Sequence, residues 1–310
     1  MGITIMIRKN SSLGFCLSTL LYSGIINASV DPSSDINIQP YQGTQVSHYL
    51  LTWSDEFNGT EVNEKRWNYR LDCKHWSQQR KANNTVSGGL YRIHLRKESV
   101  DCPNNNALQP GQQKGQKPAG KVQYTGGGII SKDELRYGYY EAKLKMPSGA
   151  GWHTSFWMMR NQFIDSTSKH DLNSNIELDP VENDSIDLKH YQIDAHQWSP
   201  TPGTEDPGRK QNKVGTKQVR FKDETRLDDF HIYGLEFTST HLRYFFDGKL
   251  QKETSFDVNQ YKHNDISIWF TSIASFLANT KQVDNSHLPA EAQVDYVRFF
   301  QTPKQIDELQ

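Results

Sequence analysis

Residues 175–182 read Asn-Ile-Glu-Leu-Asp-Pro-Val-Glu and place three carboxylates, Glu177, Asp179 and Glu182, within six positions. In a regular strand alternate side chains share a face, so Glu177 and Asp179 point one way and Glu182 points the other. One extra residue between Asp179 and Glu182, a β-bulge, returns Glu182 to the first face. Pro180 favours this interpretation, because strand prolines are found mainly at edges and bulges. The stretch therefore predicts a bulged strand with three carboxylates on one face.

The bulge leaves Glu177 and Glu182 four strand steps apart, which is roughly 13 Å between their Cα atoms. Converging side chains could bring the two carboxyl groups to about 5–5.5 Å, the separation expected of a retaining glycosidase. Without the bulge no such pair exists. The chain contains 36 Asp and Glu residues, so the alternatives for an acidic cluster are a solvated loop or a set of calcium ligands.

The composition is that of a globular protein with one large core. The chain has 310 residues, of which 35% are hydrophobic and 11% aromatic, and its formal net charge is −1. All-β domains of this size often fold as a single unit, so the length does not require a second domain. The near-neutral charge argues against nucleic acid as a partner.

The first 28 residues predict an export signal. Arg8 and Lys9 supply the positive start, residues 13–26 are mostly apolar, and residues 27–29 offer a small-residue cleavage site. The apolar run is too short and too interrupted for a membrane-spanning helix, and a buried N-terminal strand or helix is the alternative. We therefore expect a secreted or periplasmic protein with no membrane association once residues 1–28 are removed.

Removal of the signal leaves two cysteines, Cys73 and Cys102. In an exported protein such a pair can form a disulfide, and the sequence leaves this question open. A metal site at the cysteines is not expected, because there are only two of them and no histidine pair lies nearby at ligand spacing.

The rest of the chain predicts a leader at residues 29–47, a catalytic domain at residues 48–303 and a tail at residues 304–310. From residue 50 onward, short strand-like runs alternate with turn signals such as Asp247-Gly248, which suits a hairpin turn. Many short strands at regular spacing are typical of an antiparallel sandwich. Residues 103–123 and 194–222 are expected to be irregular. The second stretch carries a group of basic residues, namely Arg209, Lys210, Lys213, Lys217, Arg220 and Lys222.

The motif Glu-x-Asp-x-x-Glu formed by Glu177, Asp179 and Glu182 is the catalytic pattern of glycoside hydrolase family 16, and the chain resembles that family over residues 50–301. The motif alone is weak evidence, but further segments resemble the family in the expected order. These are residues 53–59, 126–131, 137–147, 156–159, 230–237, 246–249 and 295–298.

The resemblance implies an all-β jelly-roll sandwich of two antiparallel sheets with a concave glycan-binding cleft. It also implies a retaining double displacement, in which Glu177 is the nucleophile and Glu182 the general acid/base. Asp179, between them on the same face, can orient Glu177 through a hydrogen bond. We expect a monomer that needs no cofactor for catalysis. A structural calcium ion is compatible with the family, although no motif locates its ligands.

Three short stretches depart from the family pattern. Pro180 and Val181 replace the usual apolar pair, residues 183–185 (Asn-Asp-Ser) replace a glycine-containing turn, and residues 152–155 (Trp-His-Thr-Ser) replace a Trp-Pro-Ala sequence. The catalytic residues are intact, so these departures concern the substrate rather than the reaction.

Sugar rings stack their C–H faces on aromatic planes, so an open cleft needs tryptophan or tyrosine. The candidates, each of which could instead be packed in the core, are Trp76, Trp152, Trp157 and Trp198. His153 and His196 could hydrogen-bond sugar hydroxyls or be structural. Arg80 and Arg209 could bind sulfate esters through paired charge-assisted bonds, or belong to solvated basic surface.

These basic residues favour a sulfated galactan, such as carrageenan, furcellaran or an agar-type polymer, as the substrate. Laminarin-type β-1,3-glucan is the main alternative, because that activity is common in the family. A carbohydrate-binding sandwich without catalysis is a third interpretation, but such relatives typically lose the paired carboxylates that this chain retains.

Overall fold

The computed structural model describes residues 30–41, 49–102, 120–160, 175–199, 209–257, 265–275 and 282–307. Within these ranges the chain is nearly all β-structure, with single-turn 3-10 helices at Lys81–Asn83 and Asn285–His287 and a short helix α1 at Pro303–Asp307. The strands are β1 (Leu50–Asp55), β2 (Trp67–Tyr69), β3 (Cys73–Lys74), β4 (Ser77–Gln79), β5 (Asn84–Ser87), β6 (Leu90–Asp101), β7 (Lys121–Ser131), β8 (Gly138–Lys145), β9 (Trp152–Met159), β10 (Asn175–Asn183), β11 (His190–Ser199), β12 (Arg209–Arg220), β13 (His231–Phe237), β14 (His241–Phe246), β15 (Lys249–Ser255), β16 (Ser267–Ala274) and β17 (Ala290–Gln301).

The strands pair into two antiparallel sheets. The first sheet has the order β15-β14-β13-β8-β17, and the far edge of β17 is shared by β1 and β6, with β5 beyond β6. The second sheet has the order β2-β7-β16-β9-β10-β11-β12. The long strands β6 and β7 pair with each other and join the sheets, and β4 of the short hairpin β3–β4 lies parallel to β7. The expected all-β jelly-roll sandwich is confirmed.

The core between the sheets is built from alternate side chains of paired strands. Phe156 of β9 stacks on Phe270 of β16 with ring centroids 5.2 Å apart, and Tyr140 of β8 contacts Phe299 of β17 at 4.5 Å. All four side chains are at most 1% exposed. Full burial of one such side chain contributes about 1.5–3 kcal/mol. Between the sheets, the ring of Tyr191 on β11 lies edge-on to that of Tyr233 on β13 at 5.5 Å, so this layer holds the second sheet, which carries the acidic strand β10, against the first.

The described part of the predicted leader is packed on the first sheet. Val30 is 4% exposed and lies in a cluster with residues of β1, β8, β14 and β17. The Asp31 carboxylate accepts a hydrogen bond from the backbone N–H of Glu56, and the N–H of Tyr41 donates to Oε2 of Glu141 at 2.7 Å. Residues 30–41 are thus part of the folded unit, while the predicted signal and the rest of the leader lie outside the described residues.

Glu141 on β8 is a buried carboxyl group whose ionisation should weaken the fold. It is 1% exposed, it accepts a second hydrogen bond from the Tyr296 hydroxyl at 3.0 Å, and its burial raises its pKa to about 7. As the pH rises, the Glu141 carboxyl loses its proton at a lower pH in the unfolded chain than in the folded protein. The free energy of unfolding therefore falls between the ordinary glutamate pKa of 4.5 and a pH of about 7. Glu141→Gln should therefore gain stability relative to wild type between about pH 5 and about pH 8, on the order of 1–3 kcal/mol in the free energy of unfolding.

Urea unfolding of the wild type and of Glu141→Gln at about pH 5 and about pH 8 measures this difference in the free energy of unfolding. The control is Glu61→Gln, which changes an exposed carboxylate and should leave the pH dependence as it is in the wild type. Identical pH dependence in wild type and Glu141→Gln would show that the Glu141 carboxyl is already ionised in the folded protein near pH 5.

Within the described residues, the second stretch that was expected to be irregular forms mostly strands, so that prediction is wrong there. It is also wrong for residues 121–123 of the first stretch, which begin β7. Residues 190–199 are β11 and residues 209–220 are β12. Among the described strands β12 pairs only with β11, which makes it an edge strand of the second sheet. Lysine and arginine are common on edge strands, because they oppose pairing with another chain. The basic composition that suggested a loop therefore belongs to a sheet edge.

The predicted C-terminal tail begins with part of α1, in which Ile306 is 9% exposed. Residues 103–119 of the first stretch expected to be irregular, and residues 308–310 of the tail, lie outside the described residues. No helix in the described ranges is long and apolar enough to cross a membrane.

Candidate active site

The acidic strand β10 contains the predicted bulge. Against β11, Asp179 pairs with Asp194 and Glu182 pairs with Gln192, so three steps along β10 match two along its neighbour. The register shifts in the same region against β9 on the other side. The extra residue returns Glu182 to the face that carries Glu177, as the spacing of the motif predicted.

The two faces of β10 separate acidic from apolar side chains. The apolar residues, which are at most 1% exposed and pack in the core, are Ile176, Leu178 and Val181. On the other face Asp179 is 1% exposed, whereas Glu177 and Glu182 are partly exposed. The partners of the two glutamates on β11, His196 and Gln192, are four residues apart. The register therefore agrees with the predicted four strand steps, or roughly 13 Å between Cα atoms.

The three carboxylates line an open pocket with a volume of about 270 Å³. Its walls come from β9, β10 and β16 of the second sheet and from residues 70–75 next to the hairpin β3–β4. The lining residues are Arg70, Lys74, His75, His153, Ser155, Trp157, Glu177, Asp179, Glu182, Thr271 and Ile273. The pocket thus combines acidic and basic side chains with one partly exposed indole.

Alternate side chains of β9 reach this pocket. His153, Ser155 and Trp157 all line it. The indole N–H of Trp157 donates to Oγ1 of Thr271 at 3.2 Å, and its ring centroid lies 4.5 Å from that of Trp269. The structure therefore places His153 and Trp157 beside the three carboxylates of β10, as expected from the sequence.

Trp152 points the other way, so its prediction as a sugar-stacking residue is wrong. It lies five positions before Trp157, and the period-two alternation of a strand puts it on the opposite face. It is 1% exposed and contacts the ring of Tyr124 edge-on at 5.9 Å. A buried indole offers no face to a sugar ring.

Trp76 is also a core residue, and the same prediction is wrong for it. It is 3% exposed, and its backbone N–H donates to the carbonyl of Ala274 at 3.1 Å, which fixes the hairpin β3–β4 to the end of β16. The two residues before it, Lys74 and His75, line the pocket. Nδ1 of His75 lies 2.9 Å from Oγ of Ser275. Trp76 therefore anchors the hairpin that carries two pocket residues.

Cys73 and Cys102 form a disulfide, with Cα atoms 6.0 Å apart. The bond joins the first residue of β3 to the residue that follows β6. Lys74 comes directly after Cys73. The disulfide, which could not be decided from the sequence, is therefore present. It fixes the segment that carries the basic wall of the pocket, which consists of Arg70, Lys74 and His75.

Replacing both cysteines by serine is expected to lower the melting temperature and to loosen this wall. A native disulfide typically contributes about 2–4 kcal/mol to the free energy of unfolding. Glu177 and Glu182 lie on β10, which is held by β9 and β11, so we expect a higher KM for the polysaccharide with a smaller change in kcat. Calorimetry and steady-state kinetics measure the two effects. A lower melting temperature with an unchanged KM would mean that the bond serves stability alone.

The basic wall is partly neutralised by its own contacts. The Arg70 guanidinium donates two hydrogen bonds to Asp72, at 2.7 and 2.9 Å. Lys74 is open to the pocket, yet enclosure by protein atoms and the neighbouring Arg70 charge lower its pKa, and the glutamates of β10 oppose that shift. Enclosure and the Lys74 charge lower the pKa of His75 to about 4, so His75 is neutral at physiological pH.

His153 joins Glu182 to the turn that follows β10. Its Nε2 lies 3.0 Å from Oε1 of Glu182, and its Nδ1 lies 2.8 Å from Oδ1 of Asp184. Burial lowers the pKa of His153, but the hydrogen bonds to Asp184 and Glu182 outweigh burial and raise it to about 10. An imidazolium cation therefore stands beside the residue expected to be the general acid/base.

His196 is 5% exposed and pairs in register with Glu177. One ligand atom from each of Glu177, Asp179 and His196 lies within 4.8 Å of the others, a spacing that could accommodate a divalent cation. The same spacing suits a catalytic cluster, and Nε2 of His196 also lies 3.5 Å from Oδ2 of Asp194. The structure thus brings His196 to the expected nucleophile, while a structural calcium ion stays a prediction.

The remaining expected binding residues lie outside the pocket or outside the description. Arg80 is not among the lining residues; it forms a surface ion pair with Glu98 at 3.1 Å, and its side chain is 43% exposed. Its expected role in substrate binding therefore stays a prediction. Trp198 and Arg209 lie on β11 and β12, but their side chains lie outside the described residues, so their roles stay predictions.

Three pocket residues, Arg70, Lys74 and His75, were not expected from the sequence. The sequence feature that could have indicated them is the stretch Arg-Leu-Asp-Cys-Lys-His-Trp at residues 70–76, in which basic residues lie on both sides of a cysteine. The stretch precedes the acidic motif by roughly 100 residues. The pairing of β4 with β7 and of β7 with β16 brings it to the pocket, together with the hydrogen bond from Trp76 to Ala274.

Comparison with known proteins agrees with this geometry. The family described as beta-porphyranase A–D, GH16 domain, matches residues 49–302. Beta-porphyranase B of Zobellia galactanivorans is 26% identical over 259 residues, covering 78% of this chain and 82% of that protein. A beta-glucanase of Rhodothermus marinus is 22% identical over 274 residues, covering 82% of this chain and 85% of that protein.

Among solved structures, the kappa-carrageenase of Pseudoalteromonas carrageenovora in complex with a carrageenan oligosaccharide has the same fold. The TM-score is 0.64 at 22% identity, and the superposition covers 85% of this chain and 99% of that chain. The family match spans every strand of both sheets and the Glu177–Glu182 motif. The chain therefore belongs to glycoside hydrolase family 16 and is a retaining glycosidase that hydrolyses O-glycosyl bonds.

Proposed function

We propose that the protein is an endo-acting hydrolase of a sulfated galactan, with porphyran as the first candidate substrate. The observation that carries this proposal is Lys74, a cation open to the pocket and within electrostatic reach of Glu177 and Glu182. An ammonium group at this place can donate a charge-assisted hydrogen bond to a sulfate ester on the bound sugar. The description of the matched family and the beta-porphyranase relative support this substrate class.

The pocket residues suit the two steps of a retaining reaction. Glu177 attacks the anomeric carbon while Glu182 protonates the leaving oxygen, and Glu182 then takes a proton from the water that releases the glycosyl-enzyme. Both glutamates reach the pocket from one face of β10. Trp157 offers the sugar ring a partly exposed indole beside them.

A neutral β-glucan is the second candidate. It is favoured by the beta-glucanase relative from Rhodothermus marinus, which matches a larger share of this chain than the beta-porphyranase does. In that case Lys74 would serve only to balance the charge of the β10 carboxylates.

The test is a panel of polysaccharides in which reducing ends and chain length are followed together. Porphyran, kappa-carrageenan, furcellaran and agarose represent the galactans, and laminarin and lichenan represent the β-glucans. We expect release from porphyran with an early fall in chain length, as internal cleavage requires. Release from laminarin and lichenan alone would overturn the proposal in favour of the second candidate.

The role of Lys74 is tested on the sulfated substrate found in that panel. Lys74→Gln should raise its KM roughly tenfold, because one hydrogen bond to a charged group is lost. The variant should also lose most of the salt dependence of KM, since screening acts on the missing charge. Lys249→Gln, which changes an exposed lysine of β15 in the first sheet, is the matched control. An unchanged KM in Lys74→Gln would remove Lys74 from substrate binding.

A further inference from the structure

Two of the stretches that depart from the family pattern meet at the general acid/base. His153 comes from residues 152–155, and Asp184 comes from the turn after β10. The imidazole lies between the Asp184 and Glu182 carboxylates, with N–O distances of 2.8 and 3.0 Å. Oγ of Ser155 lies 3.1 Å from the same ring nitrogen that faces Glu182. One departure therefore supplies the imidazole and the other supplies its partner.

The turn that holds Asp184 is fixed to the start of β9. The N–H of Gly151 donates to the carbonyl of Asp184 at 3.2 Å, and the hydroxyl of Ser185 donates to the carbonyl of Trp152 at 2.8 Å. Oδ1 of Asn183 accepts the N–H of Ser185 at 2.7 Å. Asp184 and His153 are thus held by backbone contacts on both sides, and the orientation of the imidazole is determined before substrate binds.

We propose that His153, held by Asp184, is a positioning residue that donates a hydrogen bond to Oε1 of Glu182 and leaves Oε2 as the oxygen that exchanges the proton with the substrate. The inference rests on the role of Glu182 as general acid/base. It goes beyond that role, because it assigns separate tasks to the two carboxyl oxygens and identifies the group that separates them.

The geometry fits a doubly protonated imidazole. A neutral imidazole donates from one ring nitrogen only, and here each nitrogen faces a carboxylate oxygen. The His153 side chain is 12% exposed, so water is a poor substitute for either partner. The raised pKa of His153 agrees with this protonation state.

The other charged groups of the pocket come from two elements. The Glu177 and Asp179 carboxylates lie on β10, and the basic side chains come from residues 70–75, in which His75 is neutral. The residues of β16 that line the pocket are uncharged. His153 lies within hydrogen-bond distance of Oε1 of Glu182, so it holds that carboxyl in one orientation. A fixed orientation serves both steps, because the same carboxyl gives up a proton in the first step and takes one in the second.

The test uses His153→Gln, which keeps a hydrogen-bond donor but removes the charge, and Asp184→Asn, which removes the partner. Both should lower kcat on the polysaccharide roughly tenfold with little change in KM, because the Glu182 carboxyl is held less firmly. His153→Ala should lower kcat further than His153→Gln, since only the glutamine keeps a hydrogen-bond donor for Oε1 of Glu182. His94→Gln, in the first sheet, is the control and should follow the wild type.

Nuclear magnetic resonance of the free enzyme tests the inference without any substrate. In the wild type, ¹⁵N-labelled His153 should carry protons on both ring nitrogens near pH 8, and Asp184→Asn should move its titration toward the ordinary value. A neutral His153 near pH 8, or a wild-type kcat in His153→Ala, would overturn the inference. Since the resonance experiment uses no polysaccharide, its result is independent of whether porphyran is the substrate.

Discussion

Replacement of Glu177 by alanine is expected to lower kcat on the polysaccharide by about 10⁴-fold or more, because it removes the group that forms the glycosyl-enzyme bond. The nearest carboxylate on the same face, Asp179, is 1% exposed, whereas Glu177 is partly exposed, so Asp179 is the less accessible of the two to an anomeric carbon. Asp179→Asn should cost less, because the role proposed for Asp179 is to orient the nucleophile. Initial rates of reducing-end release measure both. Glu224→Ala, with a side chain that is 98% exposed, is the matched control.

Added azide separates a missing nucleophile from a damaged pocket. In Glu177→Ala a small anion can enter the space left by the side chain and attack the anomeric carbon directly. One displacement then replaces two, so the glycosyl azide should have the inverted configuration. Nuclear magnetic resonance of the product determines that configuration. Turnover of Glu177→Ala at the wild-type rate would show that Glu177 is not the nucleophile.

The bulge of β10 was predictable because it leaves a local signal. Three acidic residues cannot share a face of a regular strand at this spacing, and Pro180 stands where a bulge tolerates it. The register against both neighbouring strands confirms the extra residue. The catalytic motif could therefore be placed on one face from eight residues of sequence, residues 175–182.

The tryptophans show where residue type alone is misleading. Trp152 and Trp157 are equally suited to stack on a sugar, and both lie on β9. Their separation of five places them on opposite faces, and the sequence does not say which face is the core. The neighbours of β9 decide it, because Phe156 stacks on Phe270 between the sheets. Trp76 fails for the same reason, since its burial depends on a hairpin that contacts β16.

The basic wall depends on contacts between distant parts of the chain. Lys74 ends β3 and His75 begins the two-residue turn of a short hairpin, where His75 has a positive φ of 54°. No catalytic motif lies beside them in the sequence to mark them as pocket residues. The Cys73–Cys102 bond closes a loop of 29 residues and helps to fix the hairpin, but the cysteines alone did not establish that they pair. The substrate-binding side of the pocket is therefore less predictable than the catalytic side.

Glu182→Ala is expected to lower kcat on the polysaccharide by roughly 10²–10⁴-fold, because the leaving sugar oxygen no longer receives a proton. The loss should depend on the leaving group. An aryl glycoside with an acidic phenol leaves without protonation, so its rate of glycosyl-enzyme formation should stay close to that of the wild type. Asp187→Asn, which changes a carboxylate paired with His190 and Arg220 at the surface, is the matched control.

The stereochemistry of azide rescue then distinguishes the two glutamates. In Glu182→Ala the nucleophile Glu177 is intact, so azide attacks the glycosyl-enzyme and the product should keep the configuration of the substrate. The two variants of one strand, five residues apart, should thus give glycosyl azides of opposite configuration. The same product from both variants, or equal loss on aryl and sugar leaving groups in Glu182→Ala, would contradict the assignment. Opposite products require that the bulge of β10 brings both side chains to the same anomeric carbon. Glu177 must then face the carbon itself, and Glu182 must face the leaving oxygen bound to it.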